Sequence, residues 1–335
     1  MISLKSNKIK ALAAGLMLTL ALGALGCGGD KKEAGAKAEQ VNVGIVQLVE
    51  HAALDAANKG FVDGLASKGY KEGQNITFDK QNAQADQSNL QNIAHRFVNN
   101  KVDLICAIAT PAAQTVANVT SDIPIVATAV TDYKTAKLIK DDAKPGTNVT
   151  GTTDMNPVAE QLDLLLKLVP NAKTIGTIYC SSEVNSQLQV ELLKKAAAAK
   201  GITVKEATVS TVNDIQQAAR SLTGDVQAVY VPTDNVLASA IPTLISVTEE
   251  AKLPVICAEG GMVRAGGLAT LGVDYYKLGF QTGVMAADIL SGKAKPADMA
   301  IQAQKEFKPT INLKEAAKIG LKVPEDLLKG ADVIK

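Results

Sequence analysis

Two aspartates stand at positions in this sequence where a carboxylate could hold a cation. Asp234 and Asp274 each follow an apolar run typical of a β-strand, and each precedes a helical pattern. Ligands of open α/β sheets bind beside the carboxyl ends of the strands, so both side chains are candidates for binding an ammonium group. Either aspartate alone is more typical of a helix N-cap. Their occurrence together at the ends of strands favours binding.

An anion-binding turn is predicted after another strand. Thr110 is placed as a helix N-cap and Pro111 as the first helical residue. A helix that begins there presents free backbone N–H groups, which attract a carboxylate. A site that binds a carboxylate at this turn and an ammonium group at the aspartates would suit a zwitterionic amino acid. Further polar residues that follow strands are Gln47, His51, Thr128, Thr131, Ser182, Glu183, Asn185, Asn235 and Glu259.

Signatures of catalysis and of metal binding are missing from the sequence. It contains no G-x-S-x-G, G-x-x-x-x-G-K-[ST] or H-E-x-x-H motif, and no G-x-G-x-x-G opens a helix after a strand. Cys106, Cys180 and Cys257 end apolar runs and are interpreted as small buried hydrophobes. No Cys-x-x-Cys pair or Cys/His cluster occurs, so we expect a protein without catalytic activity, cofactor or metal.

Length and charge limit the possible partners. The 335 residues suggest two domains, and 47% hydrophobic with 21% charged residues is a globular composition. The net charge of +1 falls to about −2 once the three lysines of the leader described below are discounted. A net charge this close to zero gives no electrostatic argument for binding nucleic acid. Trp is absent and Phe and Tyr are few, so stacking surfaces are scarce.

The amino terminus is interpreted as a lipoprotein signal. Residues 1–26 contain Lys5, Lys8 and Lys10, then an uncharged apolar run, and they end directly before Cys27. This order is typical of a signal peptide, and the small residue before Cys27 resembles the bacterial lipobox, which implies lipidation of that cysteine. The alternative is an ordinary secretory signal with a chance cysteine. Residues 27–40 are small and polar, as expected of a flexible tether.

Apolar strands alternate with amphipathic helices from residue 41 onward, and the pattern occurs twice. Strands are predicted at 41–49, 75–80, 102–109, 123–129, 174–180, 203–207, 228–231, 254–257 and 268–273. Helices are predicted at 52–68, 86–99, 111–118, 156–169, 184–199, 212–222, 235–250 and 275–291. The alternation predicts an α/β protein with two doubly wound, Rossmann-like parallel-sheet lobes. The first lobe is placed at 41–150 with 275–305, and the second at 151–274 with 308–335.

Several of these segments together resemble the solute-binding lipoproteins of ABC importers, in the group that binds tryptophan and tyrosine. The segments are VGIVQLVEHAALDAANKGFVDGL, IATPAAQTVAN, AVTD, NVTGTTD, YCSSEVNSQLQVE, VYVPTDN and GGLATLGVDYYKLG. The resemblance implies a type I periplasmic-binding-protein fold. Its two lobes would be joined by a hinge of three crossovers, near 150–154, 271–274 and 307–310, and would close on a ligand.

The resemblance also implies roles for individual residues. The ligand carboxylate is expected at the Ala109-Thr110 turn and near Thr128, and the amino group at Asp234 and Asp274. Ser182 and Asn185 would add hydrogen bonds, and Gln47 and His51 would border the side-chain pocket.

The implied function is delivery of a free amino acid, such as Trp, Phe or Tyr, to an ABC permease and its ATPase. The protein would be a monomer outside the cytoplasm, anchored to the membrane by lipid on Cys27. The scarcity of aromatic residues keeps a branched-chain or other aliphatic ligand open. A sensory module for a membrane partner would use the same fold. A surface-anchored α/β hydrolase would need a nucleophile with a base, for which the sequence has no signature.

Overall fold

The computed structural model describes residues 40–335; Cys27, the leader and the tether up to residue 39 lie outside the described part. The thirteen strands are β1 Val41–Gln47, β2 Ile76–Asn82, β3 Leu104–Ile108, β4 Ile125–Val130, β5 Val149–Thr153, β6 Thr174–Cys180, β7 Thr203–Val209, β8 Ala228–Val231, β9 Val255–Cys257, β10 Ala269–Gly272, β11 Gln302–Ala303, β12 Lys308–Asn312 and β13 Asp332–Ile334.

The α-helices alternate with these strands along the chain. They are α1 Ala52–Ser67, α2 Gln87–Asn99, α3 Thr110–Val119, α4 Val158–Leu168, α5 Val184–Ala199, α6 Ile215–Leu222, α7 Asn235–Ser239, α8 Ile241–Glu250, α9 Gly260–Arg264, α10 Tyr275–Leu290, α11 Leu313–Ile319 and α12 Glu325–Leu328. None of the helices among the described residues combines the length and the apolar character needed to cross a membrane.

The first lobe is built on a parallel sheet of six strands in the order β11-β5-β4-β3-β1-β2. Every residue of the central strand β3 is buried, as expected for a strand covered by helices on both faces. Phe61 of α1 and Phe97 of α2 are fully buried in its core, with Leu278 of α10. This arrangement places the ends of β1, β3, β4 and β5 along one edge.

The second lobe is built on a sheet of seven strands in the order β13-β12-β10-β9-β8-β6-β7. Its core divides into two clusters because successive side chains of a strand point to opposite faces: Val229 and Val231 belong to one, Ala228 and Tyr230 to the other. The sheet is mixed, since β12 pairs antiparallel with β10. An antiparallel strand near the edge of a parallel sheet is common in α/β folds.

The chain passes between the two sheets three times. It leaves β5 and enters the second lobe at 154–157, returns from β10 to α10 at 273–274, and crosses again from β11 to β12 at 304–307. The fold is thus α/β with two lobes and a hinge of three crossovers. Because β5 continues to Thr153, the chain leaves the first sheet a few residues after the boundary expected at 150.

Helix α10 is packed against α1 through glycines, which ties the segment after the second crossover to the first lobe. A Cβ on Gly279 would overlap the carbonyl oxygen of Ala57, and one on Gly60 would overlap that of Tyr276. The two backbones therefore approach more closely than any residue with a side chain would allow.

Some elements differ from the sequence prediction. The helix expected at 235–250 is two helices, α7 and α8, separated at Ala240, because Pro242 cannot supply the backbone N–H that a continuous helix needs. The helix expected at 212–222 begins as a 3-10 turn at Val212–Asp214. Seven short elements were not predicted from the sequence pattern: β5, α9, β11, β12, β13, α11 and α12.

Candidate functional site

The turns that follow the strands of the two lobes face each other across a narrow cleft. The space between them has a volume of about 10 Å³, which is room for one water molecule. Its walls are formed by His51, Leu54, Ala129, Thr131, Asp154, Asn185, Thr233, Asp234, Asn235, Ala238, Glu259, Met262 and Tyr275. This interlobe cavity is the candidate ligand site, and the lobes are closed over it.

Asp154 lies at the first crossover, immediately after β5, and its side chain is fully buried. One carboxylate oxygen accepts a hydrogen bond from the Thr131 hydroxyl at 3.0 Å, and the other accepts one from the Tyr275 hydroxyl at 2.6 Å. No lysine or arginine of residues 40–335 pairs with it, and burial raises the pKa of the Asp154 carboxyl. A buried carboxylate held only by hydroxyl groups would be stabilised by an added cation.

Two other acceptors in the wall of the interlobe cavity lack partners in the described chain. The side-chain oxygen of Asn185 and Nδ1 of His51 are both buried without a hydrogen bond. The Asn185 amide nitrogen is already used, donating to Glu183 at 2.9 Å and to the Thr233 carbonyl at 2.8 Å. A buried polar atom without a partner is costly, so these atoms indicate where a ligand could donate hydrogen bonds.

Glu183 organises the start of α7 from the side of α5. Its carboxylate accepts hydrogen bonds from the backbone N–H of Asn235 at 3.0 Å and of Val236 at 3.2 Å. It also accepts one from the side-chain amide of Asn235 at 2.5 Å. Burial, together with the nearby charge of Asp234, raises the pKa of Glu183 to about 8. Glu183 therefore fixes which way the Asn235 amide points.

Asp234 caps α7 and also binds the end of β6. It accepts hydrogen bonds from the backbone N–H of Leu237 at 2.8 Å and of Cys180 at 2.6 Å, and from the Ser186 hydroxyl at 2.7 Å. Burial raises the pKa of its carboxyl. Both oxygens are engaged by groups of the second lobe, so Asp234 lines the cavity but has less capacity for a ligand than Asp154 has.

Glu259 is the N-cap of α9, where it accepts hydrogen bonds from the backbone N–H groups of Gly261 and Met262. Burial raises the pKa of Glu259 to about 7. The residue also borders a second, outer cavity of about 240 Å³ beside the hinge, whose wall includes Ala52, Thr270 and Lys308. Glu259 and Tyr275 separate the two cavities, since both line each of them.

Two side-chain hydrogen bonds join the lobes within residues 40–335. His51 Nε2 lies 3.2 Å from Oδ1 of Asn235, and the Gln189 amide donates to the Thr131 hydroxyl at 3.4 Å. Burial lowers the pKa of His51, which favours the neutral imidazole in the closed arrangement. The shorter of the two contacts is thus between the N-cap of α1 and the first residue of α7.

Three of the residues expected to contact the ligand, His51, Asn185 and Asp234, line the interlobe cavity, together with three polar residues that the sequence analysis placed after strands, Thr131, Asn235 and Glu259. Ala109 and Thr110 are buried at the end of β3 and do not line it. The Thr110 hydroxyl is nonetheless buried at the start of α3 without a partner in the described part of the chain. Ser182 is exposed and lines a separate groove between the lobes, opposite Pro111 of α3, and its hydroxyl lies 3.2 Å from Cys180 Sγ.

Asp274, predicted to hold the ammonium group, does not line the interlobe cavity in this closed structure. Its side chain is 49% exposed, and it caps α10 by accepting a hydrogen bond from the backbone N–H of Lys277 at 3.1 Å. It borders the outer cavity rather than the interlobe one. The turn after β10 directs it toward solvent, so the helix-cap interpretation holds.

Two other expected ligand residues are engaged inside the first lobe. Thr128 is fully buried and accepts a hydrogen bond from the Thr152 hydroxyl at 3.1 Å. The Gln47 amide donates to Asp55 at 2.6 Å and to the Val49 carbonyl at 3.0 Å. Neither side chain lines the interlobe cavity. Thr128 joins β4 to β5, and Gln47 orients the start of α1.

Asp154 is the main residue that the sequence analysis did not select. It ends the segment NVTGTTD, which contributed to the family resemblance, but the polar run VTGTT was not identified as a strand. Once β5 is placed there, Asp154 becomes a carboxylate at the end of a strand, which is the criterion that selected Asp234. The three cysteines of the described part, Cys106, Cys180 and Cys257, are buried and free, as expected.

Residues 42–335 match the family of ABC transporter substrate binding proteins, and the chain belongs to that family. Members are the components of ABC transporters that bind a small molecule outside the cytoplasm and deliver it to the permease. They are transport components and not a class of enzymes. The chain is 45% identical to a tyrosine-binding protein of Clostridioides difficile, over 89% of this chain and 82% of that protein.

Two solved structures are similar to this chain over most of its length. The chain is 41% identical to an ABC domain from Streptococcus pneumonia in complex with L-Trp, over 89% and 100% of the two chains, with a TM-score of 0.85. A substrate binding protein with adhesive properties from Clostridium difficile, in its ligand-free, open structure, is 44% identical over 88% and 99%, with a TM-score of 0.68. The open structure is slightly more similar to this chain in sequence than the L-Trp complex is, but its TM-score is lower. A different angle between the two lobes produces such a difference.

Proposed function

We propose that this protein binds a free aromatic amino acid in the interlobe cavity and delivers it to an ABC permease. The observation that carries the proposal is Asp154, a fully buried carboxylate without a cationic partner among residues 40–335. An ammonium group would supply the missing charge. A primary ammonium has three N–H donors, and Asp154, the Asn185 oxygen and His51 Nδ1 are three acceptors of one cavity.

The carboxylate of the ligand is assigned to the start of α3, at Ala109 and Thr110. This helix has ten residues, with Pro111 in its first turn, and the buried Thr110 hydroxyl has no hydrogen-bond partner in the described chain. Backbone N–H groups at a helix start favour an anion. Neither residue lines the cavity at this closure, whose volume admits no amino acid, so the carboxylate would reach α3 at the wider closure of the ligand-bound form.

The ligand side chain is assigned to the apolar part of the cavity wall. Leu54 and Ala129 contribute from the first lobe, Ala238 and Met262 from the second, and the Tyr275 ring completes the surface. Such a wall accepts an aromatic side chain without a stacking partner other than Tyr275. The tyrosine-binding relative and the L-Trp complex support an aromatic ligand.

Binding requires opening of the lobes, because a volume of about 10 Å³ admits no amino acid. Hinge motion at the three crossovers would separate the walls, and the ligand would then favour closure through contacts to both lobes. We further propose that the protein is a monomer without catalytic activity. Lipid on Cys27 would hold it at the outer face of the cell membrane, with residues 28–40 as the tether.

The test is a thermal-shift screen of the purified protein against all amino acids, after removal of bound ligand by unfolding and refolding. A ligand at 100 times its dissociation constant adds about 2.7 kcal/mol of stability. We expect shifts with Trp, Tyr or Phe. Shifts confined to Leu, Ile and Val would replace the proposed ligand by an aliphatic one. The absence of any shift would contradict the amino-acid proposal.

A further inference from the structure

We propose that His51, as a neutral imidazole, is the positioning residue that holds the two lobes closed on the ligand. Its Nε2 lies 3.2 Å from Asn235 in this structure and would keep that hydrogen bond at the wider closure that admits a ligand, while its Nδ1 would remain an acceptor in the cavity wall. The inference rests on the proposed function, because closure matters only if a ligand is bound between the lobes. It assigns to His51 a role other than bordering the side-chain pocket.

The direction of each hydrogen bond follows from Glu183. Both Glu183 oxygens accept N–H groups, from the backbone of Asn235 and Val236 and from the Asn185 amide, so the Asn235 group 2.5 Å away is the amide nitrogen. Oδ1 of Asn235 is then the atom that faces His51 Nε2 at 3.2 Å. An amide oxygen only accepts, so Nε2 must carry the proton. In a neutral imidazole the other nitrogen, Nδ1, then has a free lone pair.

Protonation of His51 would oppose closure for two reasons. The second N–H, on Nδ1, would be buried without an acceptor in the described chain, and the positive charge would be removed from water. In the open arrangement the ring would face solvent and titrate near its ordinary pKa of about 6.5. Below that pH His51 binds a proton in the open protein but not in the closed one, so acidification shifts the equilibrium toward the open form.

The negative charge of Asp55 raises the pKa of His51 and so acts against the effect of burial. Asp55 lies on the same helix, Glu183 acts through Asn235, and Asp154, Asp234, Glu259 and Tyr275 share the cavity. Burial raises the pKa of the carboxyl groups of Asp154, Glu183, Asp234 and Glu259, so acid favours their buried, neutral forms. These contributions are present in every His51 variant and cancel when a variant is compared with the wild type at one pH.

The experiment compares three variants of His51 by calorimetric titration with L-Trp and L-Tyr between pH 5.5 and pH 8. His51→Ala removes both nitrogens, His51→Gln keeps a donor near the position of Nε2, and His51→Asn keeps an acceptor near the position of Nδ1. His51 makes no side-chain capping bond to α1, so the helix start is retained. His95→Gln is the matched control, because His95 is the other histidine and is exposed on α2.

At pH 8 we expect His51→Ala to weaken binding by roughly five- to hundredfold, the worth of the two hydrogen bonds made by its nitrogens, and His51→Gln to restore part of it. The ratio of variant to wild-type Kd should fall toward one at pH 5.5, since the wild type loses up to about tenfold per pH unit below 6.5. A ratio that is one at pH 8, or that does not change with pH, overturns the role of His51. A wild-type protein that binds neither ligand overturns the proposed function, and the role of His51 with it.

Discussion

Replacement of Asp154 by asparagine should have opposite effects on the empty and the ligand-bound protein. The substitution keeps the shape and removes the charge. Burial raises the pKa of this carboxyl, so the folded state carries an unfavourable charge at neutral pH. The asparagine amide could still accept a hydrogen bond from one of the hydroxyls of Thr131 and Tyr275, and donate one to the other. We therefore expect the ligand-free Asp154→Asn protein to melt at the same temperature as the wild type or higher.

Ligand binding should be lost in the same variant. Removing one partner of a buried ion pair typically costs about 3–5 kcal/mol, because the other charge stays buried and unpaired. A loss of 3 kcal/mol is more than a hundredfold in Kd, since about 1.4 kcal/mol corresponds to a factor of ten. Calorimetric titration with L-Trp and L-Tyr measures this loss, and thermal melting without ligand measures the stability.

The matched control is Asp274→Asn, which changes the exposed aspartate at the N-cap of α10. We expect its Kd to remain within a factor of two or so of the wild type, as is usual for an exposed side chain away from a site. The reasoning is refuted if Asp154→Asn binds as the wild type does while Asp274→Asn does not. In that case the ammonium would lie at the outer cavity, as the sequence first suggested.

Three further predictions concern stability and location. First, the ligand-free protein should lose stability as the pH rises from about 5 to 8. Folding raises the pKa of Glu259 to about 7 and that of Glu183 to about 8. The folded state therefore binds more protons than the unfolded chain in this range, and it loses this advantage as the pH rises. Melting temperatures across that range check this, and Glu183→Gln should reduce the slope; a slope of the opposite sign would contradict it. Second, Gly279→Ala should lower the free energy of unfolding by about 3 kcal/mol, because the new Cβ would overlap the Ala57 carbonyl. Gly260→Ala should leave the free energy of unfolding nearly unchanged, because its Cβ would lie 3.7 Å from the nearest neighbour. Urea titrations measure both, and equal effects would refute the packing argument. Third, Cys27→Ser should leave the protein without lipid and outside the membrane fraction; a variant that still sediments with membranes would rule out the lipid anchor.

The architecture was accessible from the sequence because strands and helices alternate with clear periodicities. The apolar run of β3 and the helix end at Lys200-Gly201 are signals of this kind. Elements that are short or polar were not found. The strand β5 is one, since VTGTT lacks an apolar pattern and is stabilised by neighbours on the sheet, such as the bond from Thr152 to Thr128.

For the site, the sequence predicted only which polar residues follow the strands. His51, Asn185 and Asp234 were selected by that rule, and they line the interlobe cavity. The rule cannot tell which way a side chain points after the turn, and this is why Asp274 was assigned to the ligand although it caps α10 in solvent. Nor can it show that Asp154 has no cationic partner among residues 40–335, because the surroundings of Asp154 come from distant parts of the chain, such as Tyr275.

The most direct test of the account is a crystal structure of the protein with L-Tyr or L-Trp. We expect the amino acid between the lobes, with its ammonium nitrogen within hydrogen-bonding distance of Asp154 and of the Asn185 oxygen, and with His51 still bonded to Asn235. An amino acid bound in the outer cavity beside Asp274, with the Asp154 carboxylate contacting only Thr131 and Tyr275, would contradict the proposed site.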